Sequence, residues 1–242
     1  MLWLLKEKQM DNLLYSDIVR ELEKKIMTNE LKEESKLPSE RELAAHYDVS
    51  RNVVREALTE LRVKGLVTIK PGKGVYVTKP NEDIVTESLH RVLHSNDVTL
   101  ENILDVREKL EIMIIEQAVE KASPSCISEL KKIYGQMEEN KHLVHKYIEN
   151  DAEFHLKVAK ATQNKALYVL IHSFFDLTNR ELFRITTYTP ASVYDAQRQH
   201  ALLIDAIETK NRELAVSVIK EHMGLLREEI KMLRGQGVLK EE

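Results

Sequence analysis

The sequence predicts a mostly α-helical protein with an N-terminal winged helix-turn-helix and a C-terminal all-α bundle of six or seven helices. Two capped helices separated by a short break, followed by a hairpin pattern, predict the first part. After residue 83 the apolar spacing is helical and no strand pattern occurs. We expect one domain at 1–78, including a short N-terminal extension, a linker at 79–83, and a helical domain at 84–242.

The first helix of the pair begins with a capping box. Ser39 and Glu42 are three residues apart, so the Ser39 hydroxyl can accept from the Glu42 amide while the Glu42 carboxylate accepts from the Ser39 amide. Residues 47–49 interrupt the apolar pattern, and Ser50 is a favourable N-cap for a second helix that ends near Gly65. This spacing is typical of a helix-turn-helix.

The second helix of the pair has an apolar face and a basic face. The apolar stripe consists of Val54, Ala57, Leu58 and Leu61, and the opposite face carries Arg51, Asn52, Arg55, Thr59 and Arg62. Arginine can pair with guanine and asparagine with adenine in the major groove, and both can contact phosphate. The beginning of this helix is therefore suited to reading base pairs.

A β-hairpin is predicted after the second helix. Residues 66–69 and 75–78 favour strands, and the glycine-rich turn 71–74 lies between them. Glycine lets a backbone approach phosphates closely, and Lys70 and Lys73 add positive charge, so we interpret the hairpin as a wing. A capped helix pair with a hairpin is also ordinary in small domains, and exposed helix faces are usually charged. The pattern alone therefore favours DNA binding without requiring it.

The residues of this region resemble the winged helix of the GntR family of bacterial regulators. The motif Leu-Pro-Ser-Glu-Arg-Glu-Leu-Ala begins at Leu37, Val-Ser-Arg-x-x-Val-Arg-Glu-Ala-Leu begins at Val49, and Gly-Leu-Val and a Gly-x-Gly turn follow. The resemblance covers about residues 14–78. Upstream, where the family usually has a Pro-Gly turn, residues 31–36 read Leu-Lys-Glu-Glu-Ser-Lys. The resemblance implies operator contacts from Arg41, Arg51, Asn52, Val53, Arg55 and Gly72, with Lys73 nearby.

Composition limits the partners and the compartment. The net charge is −4, but residues 41–79 contain eight Lys or Arg against four Asp or Glu, so this segment carries +4 and attracts DNA. Aromatic residues make up 5%, which argues against a single-strand binder that stacks bases. The single cysteine, Cys126, excludes an intramolecular disulfide and fits a reducing cytoplasm. No apolar run approaches the length of a membrane span or resembles a secretory signal, so we expect a cytoplasmic protein.

Three helices of the predicted bundle each place a histidine on an apolar stripe. The predicted helices span 83–94, 100–122, 125–141, 144–161, 165–187, 191–209 and 212–234. Asp151 and His155 lie one turn apart on the fourth helix, His200 lies on the sixth and His222 on the seventh. A single such histidine is more often a hydrogen-bonded core residue than a ligand. Three imidazoles and a carboxylate together suit Zn²⁺, Ni²⁺ or Mn²⁺, since burying them unpaired is costly.

The bundle region also resembles a known domain, the FCD effector domain of the FadR subfamily of GntR regulators. The matching motifs are Asp-x-x-Phe-His at 151–155, His-x-Leu-Leu-x-x-Ala-Ile at 200–207, Glu-His-Met at 221–223 and Val-Arg-x-x-Leu-Glu at 106–111, within about residues 84–234. The resemblance implies that Asp151, His155, His200 and His222 bind a divalent cation. Its free positions would accept a small carboxylate, which Arg107 would help to hold. With all four ligands present, the chain looks more like the metal-dependent, organic-acid-sensing branch than the acyl-CoA-binding branch. We expect the size of the effector pocket to depend on side chains such as Phe174, Phe175, Asn179, Phe183 and Tyr188.

These expectations together describe a homodimeric repressor or activator that binds double-stranded operator DNA under the control of a small carboxylate. Two alternatives remain at this stage. A metal site with open positions could activate water for hydrolysis, although no dedicated general base is evident and a fused winged helix would be unexplained. The regulator could instead sense the metal itself, or hold the metal for structural reasons only.

Overall fold

A computed structural model describes residues 2–79, 82–96 and 98–239, with side chains from residue 15 onward except those of 82, 83 and 94. The chain divides into two compact units, Met1–Ile84 and Val85–Glu242. The predicted linker at 79–83 falls partly outside the described residues. In the described part of the chain, no helix combines the length and the apolar character needed to cross a membrane.

The predicted fold class is confirmed. The first unit contains α1 (Leu2–Met27), α2 (Glu40–Tyr47), α3 (Arg51–Val63), β1 (Val67–Lys70) and β2 (Gly74–Val77). The second unit is helical. Helix α4 (Glu82–Ser95) spans the boundary between the units, and the helices that follow are α5 (Leu100–Lys121), α6 (Pro124–Asn140), α7 (Val144–Ala161), α8 (Lys165–Tyr188), α9 (Ser192–Glu208) and α10 (Arg212–Gly235). These seven helices begin and end close to the predicted residues.

Helix α1 extends further than the short N-terminal extension expected from the sequence. Its residues Ile18, Val19, Leu22 and Ile26 are spaced three or four apart and are buried. Helix α1 packs against α3, and these side chains join the apolar core of the first unit. The helix therefore supports the face of α3 that lies opposite its basic residues.

The helix-turn-helix forms as the sequence predicted. The Glu42 amide lies 3.3 Å from Ser39 Oγ, and the Ser39 amide donates to Glu42 Oε2 over 2.7 Å, which completes the capping box. Helix α2 ends because Asp48 adopts a left-handed conformation with φ 53°. Ser50 Oγ then caps α3 by accepting from the Val53 amide. These caps fix the angle at which α3 leaves the turn.

The wing is a two-stranded antiparallel hairpin in which Val67 pairs with Val77 and Lys70 pairs with Gly74. The first strand begins one residue later than predicted and the second begins and ends one residue earlier. Gly65, with φ 68°, ends α3, and the Leu66 amide donates back to Leu61 O over 2.8 Å. Leu66 therefore belongs to the helix end rather than to the strand.

The segment that departs from the family pattern is ordered against the other edge of β2. Glu34 takes the left-handed conformation with φ 64°, and its amide donates to Val77 O over 2.9 Å. The Val77 amide donates to Ser35 O and the Leu37 amide donates to Val75 O. The segment thus holds the wing in place without a Pro-Gly turn.

The core of the second unit lies where α5 to α10 pack together. Its members include Phe154 on α7, Leu203 on α9 and Ile219 on α10, all almost completely buried. His155 and His200 lie on the same faces of α7 and α9 and are also buried. Helix packing therefore carries polar side chains from distant parts of the chain into one interior region.

Candidate functional site

Six of the residues expected to contact DNA are exposed in the first unit. Arg41, Arg51, Asn52 and Arg55 are exposed on α2 and α3, and Gly72 and Lys73 are exposed at the tip of the wing. Gly72 has φ 69°, a conformation that favours glycine, and the space where a Cβ would lie is open. A phosphate backbone could therefore approach the wing tip closely.

Glu40 orients two of these arginines. Arg55 donates from Nε and Nη2 to the two carboxylate oxygens of Glu40 over 3.2 and 2.8 Å, and Arg51 Nη2 lies 3.4 Å from the same carboxylate. The hydrogen bond from Arg55, opposed in part by burial, lowers the pKa of Glu40, so Glu40 stays ionised near neutral pH. The fork geometry restricts the direction of the Arg55 guanidinium. This role of Glu40 was not predicted from the sequence.

Val53 does not lie on this exposed surface. Its side chain is only 5% exposed, and it belongs to the apolar core beside Val54 and Ala57. Its amide is also occupied, because it donates to Ser50 Oγ over 3.3 Å. The structure therefore places Val53 in the support of α3, whereas the resemblance implied a contact with the operator.

In the second unit the structure brings Asp151, His155, His200 and His222 together. One possible ligand atom from each residue lies within 4.8 Å of the others. The three imidazole centroids are 4.9–5.4 Å apart, and His200 Nε2 lies 3.4 Å from His155 Nε2 and 3.3 Å from Asp151 Oδ1. The convergence that the helical stripes predicted is thus present in the structure.

The outer nitrogens of two of these imidazoles already have partners. His155 Nδ1 lies 3.3 Å from Glu111 Oε2, and a carboxylate there can only accept. His222 Nδ1 lies 2.9 Å from Gln199 Oε1, while Gln199 Nε2 donates to Glu221. Both Nδ1 atoms are therefore donors, and each neutral ring keeps a lone pair on Nε2. Outer partners of this kind are typical of histidines that bind metals.

The charges around the cluster favour the metal-binding forms of Asp151 and His222, whereas for His155 burial lowers the pKa but the Glu111 carboxylate raises it on balance. Burial lowers the pKa of His222 and the neighbouring imidazoles lower it further, so this ring is neutral near pH 7. Burial opposes ionisation of Asp151, but the hydrogen bond from His200 and the nearby histidines lower its pKa on balance. An ionised carboxylate with neutral imidazoles is the donor set that Zn²⁺, Ni²⁺ and Mn²⁺ accept. The residues present therefore fit a divalent cation.

Arg107 lies beside the cluster with an unusually buried guanidinium. The side chain is 2% exposed, lies 3.8 Å from the centre of the Phe175 ring, and donates from Nη1 to Thr178 Oγ1 over 3.2 Å. Arg107 Nε lies 3.6 Å from Glu111 Oε1, so Glu111 connects Arg107 with His155. Among the described residues, Arg107 Nε has no hydrogen-bond partner. The group remains able to bind an anion.

A cavity of about 60 Å³ adjoins the cluster and is lined by Arg107, Asp151 and His222. The side chains expected to set its size do not line it. The lining residues on α8 are Leu182 and Thr186, whereas the expected ones were Phe174, Phe175, Asn179, Phe183 and Tyr188. Phe175 contributes indirectly, because its ring contacts the guanidinium of Arg107, and Arg107 lines the cavity. Leu182 and Thr186 follow Phe175 and Asn179 by seven residues, about two turns of α8, so the cavity lies further along the same side of the helix than expected.

Comparison with known proteins identifies both units. The model of the gntR family of bacterial regulatory proteins matches residues 14–77, and the FCD domain model matches residues 102–225. The HTH-type transcriptional regulator LutR of Bacillus subtilis is 31% identical over 205 residues, covering 82% of this chain and 92% of LutR. The chain belongs to the GntR family.

Other relatives of this GntR protein agree with that assignment. The Uxu operon regulator of Haemophilus influenzae is 31% identical over 194 residues, covering 78% of this chain and 71% of the regulator. A solved structure of a Streptococcus agalactiae GntR protein is 25% identical, with a TM-score of 0.69, and covers 88% of this chain and 99% of the solved chain. The protein is a DNA-binding transcription regulator of the GntR and FCD type, and the matched families and relatives are regulators rather than enzymes.

Replacing Glu111 with glutamine is expected to weaken metal binding by this GntR protein about 10–100-fold, the range typical for loss of an outer hydrogen-bond partner of a ligating histidine. The substitution keeps the size of the side chain but removes the charge that favours a donor at His155 Nδ1. Competition with a chromogenic chelator would measure the affinity. Glu120→Gln, at an exposed position of the same helix, is the control. Equal metal affinities of the two variants would show that Glu111 does not support metal binding.

Replacing Lys73 with alanine is expected to weaken binding to operator and random DNA alike, because a flexible lysine at the wing tip can contact phosphate but read little sequence. The slope of log affinity against log salt should decrease by about one unit. Fluorescence anisotropy at several salt concentrations measures that slope. Lys132→Ala, at an exposed position of α6, should leave it unchanged. A Lys73 variant with the wild-type slope would show that this lysine meets no phosphate.

Proposed function

We propose that a small carboxylic acid controls the operator affinity of this regulator by binding at a divalent-metal centre formed by Asp151, His155, His200 and His222. The observation that carries the proposal is the approach of four ligand atoms from three helices to within 4.8 Å of one another. Zn²⁺, Ni²⁺ and Mn²⁺ all suit three imidazoles and one carboxylate. When bound, the cation supplies positive charge and free coordination positions for the carboxylate of the acid.

Arg107 is the second proposed anchor for the acid. Its guanidinium lines the same cavity as Asp151 and His222, and it is fixed by Phe175 and Thr178. A guanidinium can bind both oxygens of a carboxylate in a fork, which also sets the orientation of the acid. Glu111 restrains Arg107 and His155 together, so a change at one anchor reaches the other.

We further propose that the protein acts as a homodimer. Two copies of α3 would enter successive major grooves of a pseudo-palindromic operator, and the dimer would set the spacing of the half-sites. Binding of the acid would favour one arrangement of the bundle helices and so change the separation of the winged helices. A coupling free energy of about 1–3 kcal/mol is enough to change operator affinity about 5–150-fold.

Operator titrations test this proposal. The metal-free protein is titrated onto operator duplex, then the protein loaded with Zn²⁺, Ni²⁺ or Mn²⁺, and then the loaded protein with a panel of small carboxylic acids. We expect a change in affinity that needs both the metal and an acid. A response to metal alone would favour the alternative of a metal-sensing regulator. The same affinity under all conditions would contradict the proposal.

A further inference from the structure

A second group of polar residues lines the cavity beyond the four clustered ligands. It consists of Tyr147 on α7, Ser192 on α9 and Glu229 on α10. Tyr147 precedes Asp151 by four residues, Ser192 precedes His200 by eight, and Glu229 follows His222 by seven. With a helical rise of about 1.5 Å per residue, this group lies about 6–12 Å along the helices from the ligands. The cavity is therefore polar at both ends.

Two atoms of this distal group are buried without a partner. Tyr147 is 4% exposed, and within the described part of the chain its hydroxyl has no hydrogen-bond partner. The same holds for Glu229 Oε1, although Ser192 and Thr189 lie close enough to hydrogen-bond its carboxyl group. Buried polar groups are nearly always paired, and an unpaired one destabilises the protein. A ligand that pairs with both atoms would remove that cost.

The cavity also has an apolar lining. Leu182, Val193 and Leu226 contribute to it and suit the carbon chain of a ligand. At the distal end, the Glu229 carboxyl group can accept from a hydroxyl, and the Tyr147 hydroxyl can donate to the same group or to its neighbour. A second carboxylate there would face Glu229 and be repelled, while a methyl group would leave both protein atoms unpaired.

Resting on the proposed carboxylate site, we propose that Tyr147 and Glu229 form a second subsite that binds a hydroxyl group at the far end of the acid. The effector is then a hydroxylated monocarboxylic acid, with its hydroxyl separated from the carboxylate by several carbon atoms. Neither a plain aliphatic acid nor a dicarboxylic acid satisfies both ends of the cavity. The Tyr147 and Glu229 pair is thus the specificity determinant, and the metal with Arg107 is the common carboxylate anchor.

A matched series of six-carbon acids tests the subsite. Hexanoate, 6-hydroxyhexanoate, adipate and 6-aminohexanoate share the carboxylate at one end and differ only at the other end. Calorimetric titration of the Zn²⁺-loaded protein should give at least about tenfold tighter binding for a hydroxylated acid than for hexanoate, as expected for one added hydrogen bond in a buried site. Preference for adipate or 6-aminohexanoate would overturn the assignment. Equal affinities for hexanoate and 6-hydroxyhexanoate would overturn it too, while leaving the carboxylate site intact.

Two substitutions test whether Tyr147 and Glu229 produce the preference for a hydroxylated acid. In Tyr147→Phe and Glu229→Gln, the ratio of the hexanoate and hydroxylated-acid dissociation constants should fall towards one. Glu228→Gln, at the exposed neighbouring position, should keep the wild-type ratio. A preference that survives both substitutions would place the hydroxyl elsewhere and overturn the subsite. If no acid of the series binds and operator affinity responds to no small acid, the proposed function fails together with the subsite.

Discussion

Replacing His200 with alanine is expected to weaken divalent-metal binding at least about 100-fold, more than the loss of an outer-shell partner usually does. His200 is completely buried, and its Nε2 atom lies within 3.4 Å of His155 Nε2 and 3.3 Å of Asp151 Oδ1. Its removal therefore takes one nitrogen donor from the centre of the cluster. Competition with a chelator measures the metal affinity, and the operator response to small acids should be lost in the same variant.

His145→Ala is the matched control for this substitution. His145 is an exposed histidine on α7 that pairs with Glu149 at the surface. The control should bind metal as the wild type does. Circular dichroism and thermal unfolding of the metal-free proteins separate a lost ligand from a damaged fold. If the His200 variant is folded and keeps the wild-type metal affinity, the cluster is only a hydrogen-bonded group in the core.

Replacing Arg51 with alanine is expected to weaken binding to the specific operator by about 1–3 kcal/mol while changing binding to random DNA much less. Arg51 is exposed at the first position of α3, where recognition helices contact base edges. The remaining pair of Arg55 with Glu40 does not depend on it, since both of their hydrogen bonds stay available. Competition between operator and random duplexes in anisotropy titrations measures the difference.

Arg62→Ala provides the comparison on the same helix. Arg62 is exposed in the last turn of α3, far from the turn that would enter the groove. Its loss should leave the ratio of specific to random binding near the wild-type value. Equal losses on operator and random DNA after Arg51→Ala would mean that Arg51 contacts phosphate rather than bases.

The helical periodicity of the sequence was enough to predict that Asp151, His155, His200 and His222 cluster, but not which residues hold them in place. His155 and His200 stood on apolar stripes, and such stripes must face the core. Glu111 follows several charged residues on α5, so the sequence alone favours a surface position for it. Its burial depends instead on contact with His155 from another helix. Gln199 is next to His200 in sequence but points to a different neighbour, His222. These roles depend on contacts between helices, and the periodicity of a single helix does not reveal such contacts.

In the first unit, too, features that depend on neighbouring residues were predicted from the sequence, and features that depend on tertiary contacts were not. The caps at Ser39 and Ser50 and the left-handed Gly65 depend on neighbouring residues only, and their prediction is confirmed. The burial of Val53 depends on tertiary packing, since α1 and α2 both contact α3 and Val53 joins the core that they share. The ordered segment around Glu34 likewise depends on pairing with β2.

Native mass spectrometry combined with elemental analysis of the purified protein tests most directly whether the four residues form a metal centre. We expect one divalent ion per chain, removed by a chelator, restored by added Zn²⁺, Ni²⁺ or Mn²⁺, and absent from the His200→Ala protein. A small retained acid would add its own mass to the metal-loaded species. Wild-type protein that carries no metal and takes up none when each of the three ions is supplied would contradict the account.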